Sequence, residues 1–257
     1  MATPNFFFTT TAMTAGLVTA IVSAITSLIV ALGSQYFATR ATHSLEKTKE
    51  RDRITGEYLN PLRLYLEEAY ARLSRIEDRL QRGDGICDAL LSVESPEAIN
   101  NLPDDWFTTD GYYLMSSCYL TACLFFHMDQ VRSKAPYLPL EQGSDTELVN
   151  RLFQISLALG KTGGIYYILQ STLAEAMAGK KGRQVISYRT FCEKFRNPQD
   201  LVWFKQLVTF YLAVGHGKKG DRIDQAKVAI IDLLRFLEEH LGGGTAIENR
   251  IQNQGKI

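Results

Sequence analysis

The chain has 257 residues, and its 28 Lys and Arg balance its 28 Asp and Glu to a formal net charge of zero. The two signs are interspersed, which excludes a basic block that would hold nucleic acid by charge alone and an acidic decoy tail. Hydrophobic residues make up 46% of the chain, enough for one substantial core or two small ones.

Residues 1–13 form a short uncharged N-terminal segment, and residues 14–38 predict a transmembrane helix. From Thr14 to Phe37 the chain reads TAGLVTAIVSAITSLIVALGSQYF, without one charged residue. At about 1.5 Å of rise per residue, such a run crosses the roughly 30 Å hydrocarbon core of a bilayer. No Lys or Arg precedes it, and it is long for the apolar part of a secretory signal, so it reads as a retained anchor. Arg40, Lys47, Lys49, Arg51 and Arg53 follow it closely. Basic residues stay on the cytoplasmic side, so the N-terminus is expected outside and the bulk of the chain in the cytoplasm, at the cell (plasma or inner) membrane. The same five cations are placed to touch anionic lipid headgroups. Phe6, Phe7 and Phe8 fit the outer interface or simply an apolar, frayed terminus.

Inside the anchor, Gly16, Ala20, Ser23, Ser27, Ala31 and Ser34 recur at steps of three and four. That spacing puts small residues on one helical stripe, and such stripes let membrane helices approach closely. Self-association follows, with a pore lined by Thr19, Ser23, Thr26 and Ser27 as its sharper form. The plainer account is that Ala, Ser and Thr are common in membrane helices.

Residues 39–82 predict a juxtamembrane helix running into the first helix of a bundle. Leu62, Leu66, Ala69, Leu73, Ile76 and Leu80 alternate steps of four and three, with charged residues on the other faces. Pro61 should kink or restart the helix. Residues 83–244 hold the rest of the bundle. Gly83-Asp84-Gly85 breaks the first helix, and Ser95-Pro96 suggests a short helix start. Asn100 to Asp105 reads as a loop. A helix from Gly111 to about Lys134 is apolar on several faces and should be the central one. Ser144 to Glu147 fits a capping box for a helix that Gly160, Gly163 and Gly164 interrupt. Lys180 and Lys181 between glycines make a turn, Asn197-Pro198 starts another helix, and the last runs from Asp221 to the stop at Gly242-Gly243-Gly244. Residues 245–257 are expected to form a flexible tail. No strand pairs or repeats are evident, so the fold class is all-α: one N-terminal transmembrane helix followed by a cytoplasmic bundle of about six helices.

Cys87, Cys118, Cys123 and Cys192 show no paired spacing and no nearby His pattern. They predict free thiols and no metal site, with Cys118 and Cys123, in an apolar stretch, as small core residues. Gly160-Lys161-Thr162-Gly163-Gly164 lacks the phosphate-loop pattern and a preceding strand, so no cofactor is expected. His127 in the apolar helix reads as a satisfied core residue.

Near the C-terminus, Arg235-Phe236-Leu237-Glu238-Glu239-His240 matches the R-x4-H pattern of HEPN ribonucleases. The layout also resembles the membrane-anchored HEPN-like accessory proteins of prokaryotic antiviral defence, which join an N-terminal anchor to a helical domain with a late Arg/His motif. The resemblance covers overall layout and two residues. It implies metal-independent RNA cleavage with Arg235 and His240 as catalytic residues and His240 as acid/base. The residues read by themselves suggest a His near a helix C-terminus, favoured by the dipole, and an Arg pairing with Glu238 or Glu239.

The expected function is therefore a self-assembling membrane protein acting as scaffold or membrane-perturbing, pore-forming effector. A tethered ribonuclease and a membrane-anchored sensor of a ligand or partner are the alternatives. The expected partners are the lipid bilayer, further copies of the chain and a cytoplasmic protein, with RNA only under the ribonuclease reading.

Overall fold

The computed structural model describes residues 7–83, 85–134, 144–161, 163–180, 182 and 184–241. Side chains are described from Val22 onward, except at positions 24, 25, 33, 44, 47, 51 and 241. The expected tail at 245–257, the N-terminal phenylalanine cluster as a whole and the glycine stop at 242–244 lie outside the described residues. The chain divides into two units, Met1–Asp52 and Arg53–Ile257.

The first unit is built on helix α1 (Phe7–Ile54), whose last two residues belong to the second. Its described apolar side chains stand in the open: Val22, Leu28, Ile29, Val30 and Leu32 are each 57–63% exposed. Among the described residues no helix is long and apolar enough to cross a membrane. The transmembrane reading of residues 14–38 thus gains no support from the described part of α1, and the side chains of 14–21 lie outside it.

In the second unit, Thr55–Leu59 is a π-turn between α1 and α2 (Asn60–Arg82). The Asn60 N–H donates to the Thr55 carbonyl, one residue further back than in an α-helix. Pro61 accounts for the change of register: it has no N–H to offer the fourth carbonyl back, and its ring crowds that carbonyl. The expected restart at Pro61 therefore appears as a π-turn just ahead of it. The whole stripe from Leu62 to Leu80 is buried. Burial of each leucine contributes roughly 2 kcal/mol, which is why this face rather than helix propensity fixes α2.

Three 3₁₀ turns then cover the bundle end, Asp88–Leu90, Pro96–Asn101 and Asp104–Thr108. They bury Leu90, Ile99, Trp106 and Phe107, while the segment expected as a loop at 100–105 joins two of these turns and is itself exposed or half-buried. Gly111 is required beneath it, since a Cβ there would lie 2.5 Å from the Trp106 ring. Helix α3 (Tyr112–Lys134) is central and buried from Leu114 to Cys118 without interruption. It packs on α2, α5, α6 and α7, while α8 packs on α2 and α4.

Helix α4 (Ser144–Gly160) ends in a tight turn before α5 (Tyr167–Ala176). Gly163 has φ +75°, and a Cβ on Gly164 would meet the Leu159 carbonyl at 2.1 Å, so both positions demand glycine. The segment to α6 (Tyr188–Lys194) is closed by one isolated bridge, Ala178 to Val185. The Ser187 side chain accepts from the Thr190 N–H to cap α6, a helix absent from the sequence reading. Helix α7 (Pro198–Gly215) starts as expected, with the Asn197 side chain accepting from the Gln199 N–H at 3.0 Å. Helix α8 (Gly220–Leu241) closes the bundle. Among the described residues seven helices, α2–α8, thus stand where about six were expected; α6 is the addition. Among the described residues there is no strand, and the all-α class holds.

Candidate functional site

The stripe on α1 is partly visible. Ser23, Ser27, Ala31 and Ser34 are exposed; the side chains of Gly16 and Ala20 lie outside the described residues. The Thr26 hydroxyl donates to the Val22 carbonyl at 2.8 Å and the Ser34 hydroxyl to the Ala31 carbonyl at 2.9 Å. Bonding back to the helix satisfies each donor while leaving lone pairs to accept from a neighbouring helix. Arg40, Lys49 and Arg53 are exposed, Arg53 paired with Glu57 at 2.9 Å; the side chains of Lys47 and Arg51 lie outside the described ones.

At the other end, Arg235 and His240 both sit on α8. Arg235 is exposed and His240 half-buried. The His240 Nδ1 lies 2.9 Å from the Phe236 carbonyl, and its ring stacks on Phe236 with centroids 4.2 Å apart. A carbonyl only accepts, so Nδ1 carries a proton in this contact. Five helical residues turn Arg235 about 140° away from it. Phe236 is held from its other neighbour by Arg151, whose guanidinium lies 5.1 Å over the ring.

That arginine also borders a groove of about 710 Å³ between α4 and α8. Arg151 donates to Glu147 at 3.0 Å and to the Asp232 carbonyl at 2.9 Å. Nearby, Lys227 pairs with Glu77. Burial raises Glu77, but hydrogen bonds from Lys227 and Asp224 outweigh it and hold this carboxyl below its ordinary range. Burial and the neighbouring Glu77 push Asp224 up.

Two polar clusters inside the bundle escaped sequence reasoning. Arg132 on α3 donates to the Leu152 carbonyl at 2.9 Å and the Ser156 hydroxyl at 2.7 Å, tying α3 to α4. Gln170 on α5 donates to the Ser156 and Ile165 carbonyls. On the α2–α3 face, Arg72 donates to the buried Ser116 and Ser117 hydroxyls, and Arg72 and Arg79 each lie 4.6 Å from the Tyr113 ring. An arginine at a helical stripe's edge gives no sequence sign that it turns inward.

The cysteines are all buried free thiols. Burial pushes Cys192 up to about 11 and Cys123 up to about 12, so neither is a ready nucleophile. Among the described residues no group of three or more His, Cys, Asp or Glu is set to hold a metal ion.

His127 is one of several buried groups with an unpartnered polar atom, beside the Tyr113 hydroxyl and the Gln170 Oε1. It is 8% exposed on α3, its ring stacks on Tyr65 at 4.7 Å, and its Nε2 has no hydrogen-bond partner. Burial pushes its pKa down to about 4, so the ring is neutral at pH 7. The fold and these sites define an all-α helical bundle preceded by a long helix with exposed apolar side chains. No protein-family model, curated protein or solved structure gives a significant match to the chain.

Proposed function

We propose that this chain is a single-pass membrane protein, anchored by residues 14–38 with its N-terminus outside. Its bundle would then lie in the cytoplasm, on the side of Arg40, Lys47, Lys49, Arg51 and Arg53. Several copies associate through the stripe of Gly16, Ala20, Ser23, Ser27, Ala31 and Ser34. The assembly acts as a scaffold, or perturbs the bilayer when the bundle is engaged by a cytoplasmic partner.

One observation carries this reading. Val22, Leu28, Ile29, Val30 and Leu32 stand exposed within a run that holds no charge. Keeping each such side chain in water costs roughly 1.5–3 kcal/mol relative to burial, and lipid or a neighbouring helix removes that cost. Direct back-bonding of Thr26 and Ser34 supports the same reading, because these two hydroxyl hydrogens stay satisfied in an apolar medium.

The test is extraction of membranes from cells making the full chain. The proposal expects the protein to stay in the pellet after alkaline carbonate and to leave it in detergent. Ser27→Cys chains should also crosslink to one another in that membrane. Release by carbonate would overturn the anchor, and the absence of crosslinking would overturn self-association.

A further inference from the structure

Large apolar side chains also stand in the open on the bundle, and they gather on one side of it. Phe153 of α4, Tyr166, Tyr167 and Ile168 at the start of α5, and Val202 and Trp203 of α7 are each 44–78% exposed. Contacts between the three stretches bring them together. The Phe153 and Tyr167 rings meet edge to face with centroids 6.3 Å apart. The Gln206 side chain of α7 donates to the Gly164 carbonyl at 3.1 Å, just ahead of Tyr166. Trp203 lies one turn before Gln206 on the same side of α7, and α5 and α7 pack on one another.

This face offers little charge. From 162 to 174 the chain holds no charged residue. On α7, Asp200 and Lys205 are paired with Lys194 and Glu97. Arg132, stacked over Tyr167, directs its donors to Leu152 and Ser156. A covered aromatic side chain buries about 150–250 Å², so four half-exposed rings with Ile168 and Val202 leave roughly 600 Å² open. A patch of that size marks an interaction site rather than scattered surface residues. Covered by an equal face, it gives about 1,200 Å² in total, the low end of a specific interface.

We infer that this face packs against the same face of a second copy of the chain. The inference rests on the proposed anchoring and adds a second contact to it, outside the anchor. A two-fold axis along the membrane normal turns the same side of two anchored neighbours towards each other. Such a contact needs a surface that does not repel itself, and an aromatic face with its charges already paired meets that need. A partner recognised by charge finds little to pair with here. Anchors held side by side raise the effective concentration of the bundles to the millimolar range. A contact of modest area is sufficient there, and it does not hold together copies whose anchors have separated.

The experiment uses membranes from cells making the full chain. Ser27→Cys, Ile168→Cys and Leu64→Cys chains are compared after mild oxidation, with the unsubstituted chain, whose own thiols are buried, as background. Leu64 is exposed on α2, which packs on α3 and α8, and serves as the control outside this face. The expected result is a disulfide-linked dimer with Ser27→Cys and with Ile168→Cys, and background alone with Leu64→Cys. Adding Tyr166→Ser and Trp203→Ser, both at exposed positions, should lower the Ile168→Cys dimer by about fivefold or more and leave that of Ser27→Cys unchanged. A Ser27→Cys dimer with no Ile168→Cys dimer above the control, or an Ile168→Cys dimer indifferent to the two serines, would overturn the docking face and leave the anchor contact standing. No dimer at either position would overturn both. A dimer at Ile168→Cys alone would support the face and overturn assembly through the anchor.

Discussion

His127 ties one ring to the pH dependence of the whole bundle. Its folded pKa, pushed down to about 4, lies below the ordinary 6.5 because burial penalises the charged ring. The unfolded chain therefore binds the proton first. The stability this gives is fully present above pH 6.5 and is lost as pH falls towards 4. We expect the wild type to lose roughly 2–3 kcal/mol over that window through this residue alone. Urea unfolding of wild type and His127→Gln at pH 7, 5.5 and 4 measures it: the difference between the two should shrink as pH falls. A constant difference would mean the ring is solvated. Arg132 presents the opposite case, a charge kept inside by its acceptors. Arg132→Met strands the Ser156 hydroxyl, which is 2% exposed, and should cost about 2 kcal/mol. A lower urea midpoint at unchanged slope is the expected signature, and an unchanged midpoint would contradict the network. His240, with Nδ1 held by the Phe236 carbonyl and Arg235 turned away, is expected to be a packing residue. RNA incubated with the full chain and with His240→Ala should behave alike, whereas cleavage lost only in the variant would restore its acid/base role.

Burial along α2 separates two leucines of the same helix. Leu66 is fully buried and Leu64 is 52% exposed. Leu66→Ala leaves a cavity and should cost about 3 kcal/mol, while Leu64→Ala should stay within about 0.5 kcal/mol. Equal losses by thermal unfolding would mean that α2 docks through a different face. This helix was legible in the sequence because its period of three and four is strict from Leu62 to Leu80. The start of α7 was legible too, because Asn197-Pro198 joins a cap to a residue that fits only the first turn. Helix α6 was not: with seven residues it spans two turns, too short for a period to emerge. Nor were the 3₁₀ turns that bury Trp106 and Phe107, since Pro103, Asp104 and Asp105 signal a loop whether or not its aromatics fold inward. The polar interior was hidden for a related reason. Arg72, Arg132 and Gln170 have ordinary surface identities, and only tertiary packing turns them towards buried hydroxyls and carbonyls. The π-turn of Thr55–Leu59 follows from the fixed φ and missing N–H of Pro61 rather than from any motif.

On the scale of the whole molecule, a well-buried bundle and an exposed apolar helix stand in one chain. The bundle has its own core, fed by every helix from α2 to α8. The exposed residues of α1 have no such core, and bilayer and sister helices are the proposed cover. The stripe then becomes the point at which the assembly can be broken without touching the bundle. Replacing Ser27 and Ala31 by Ile adds bulk where close approach is needed, and leaves the run uncharged and long enough to insert. The deciding measurement is the mass of the detergent-solubilised full chain, by light scattering, beside the same chain carrying Ser27→Ile and Ala31→Ile. The account predicts an oligomer of defined mass for the wild type and a monomer for the variant, both with the helical content and melting of the bundle intact. A wild-type monomer, or an oligomer that survives the two substitutions, would contradict assembly through this helix.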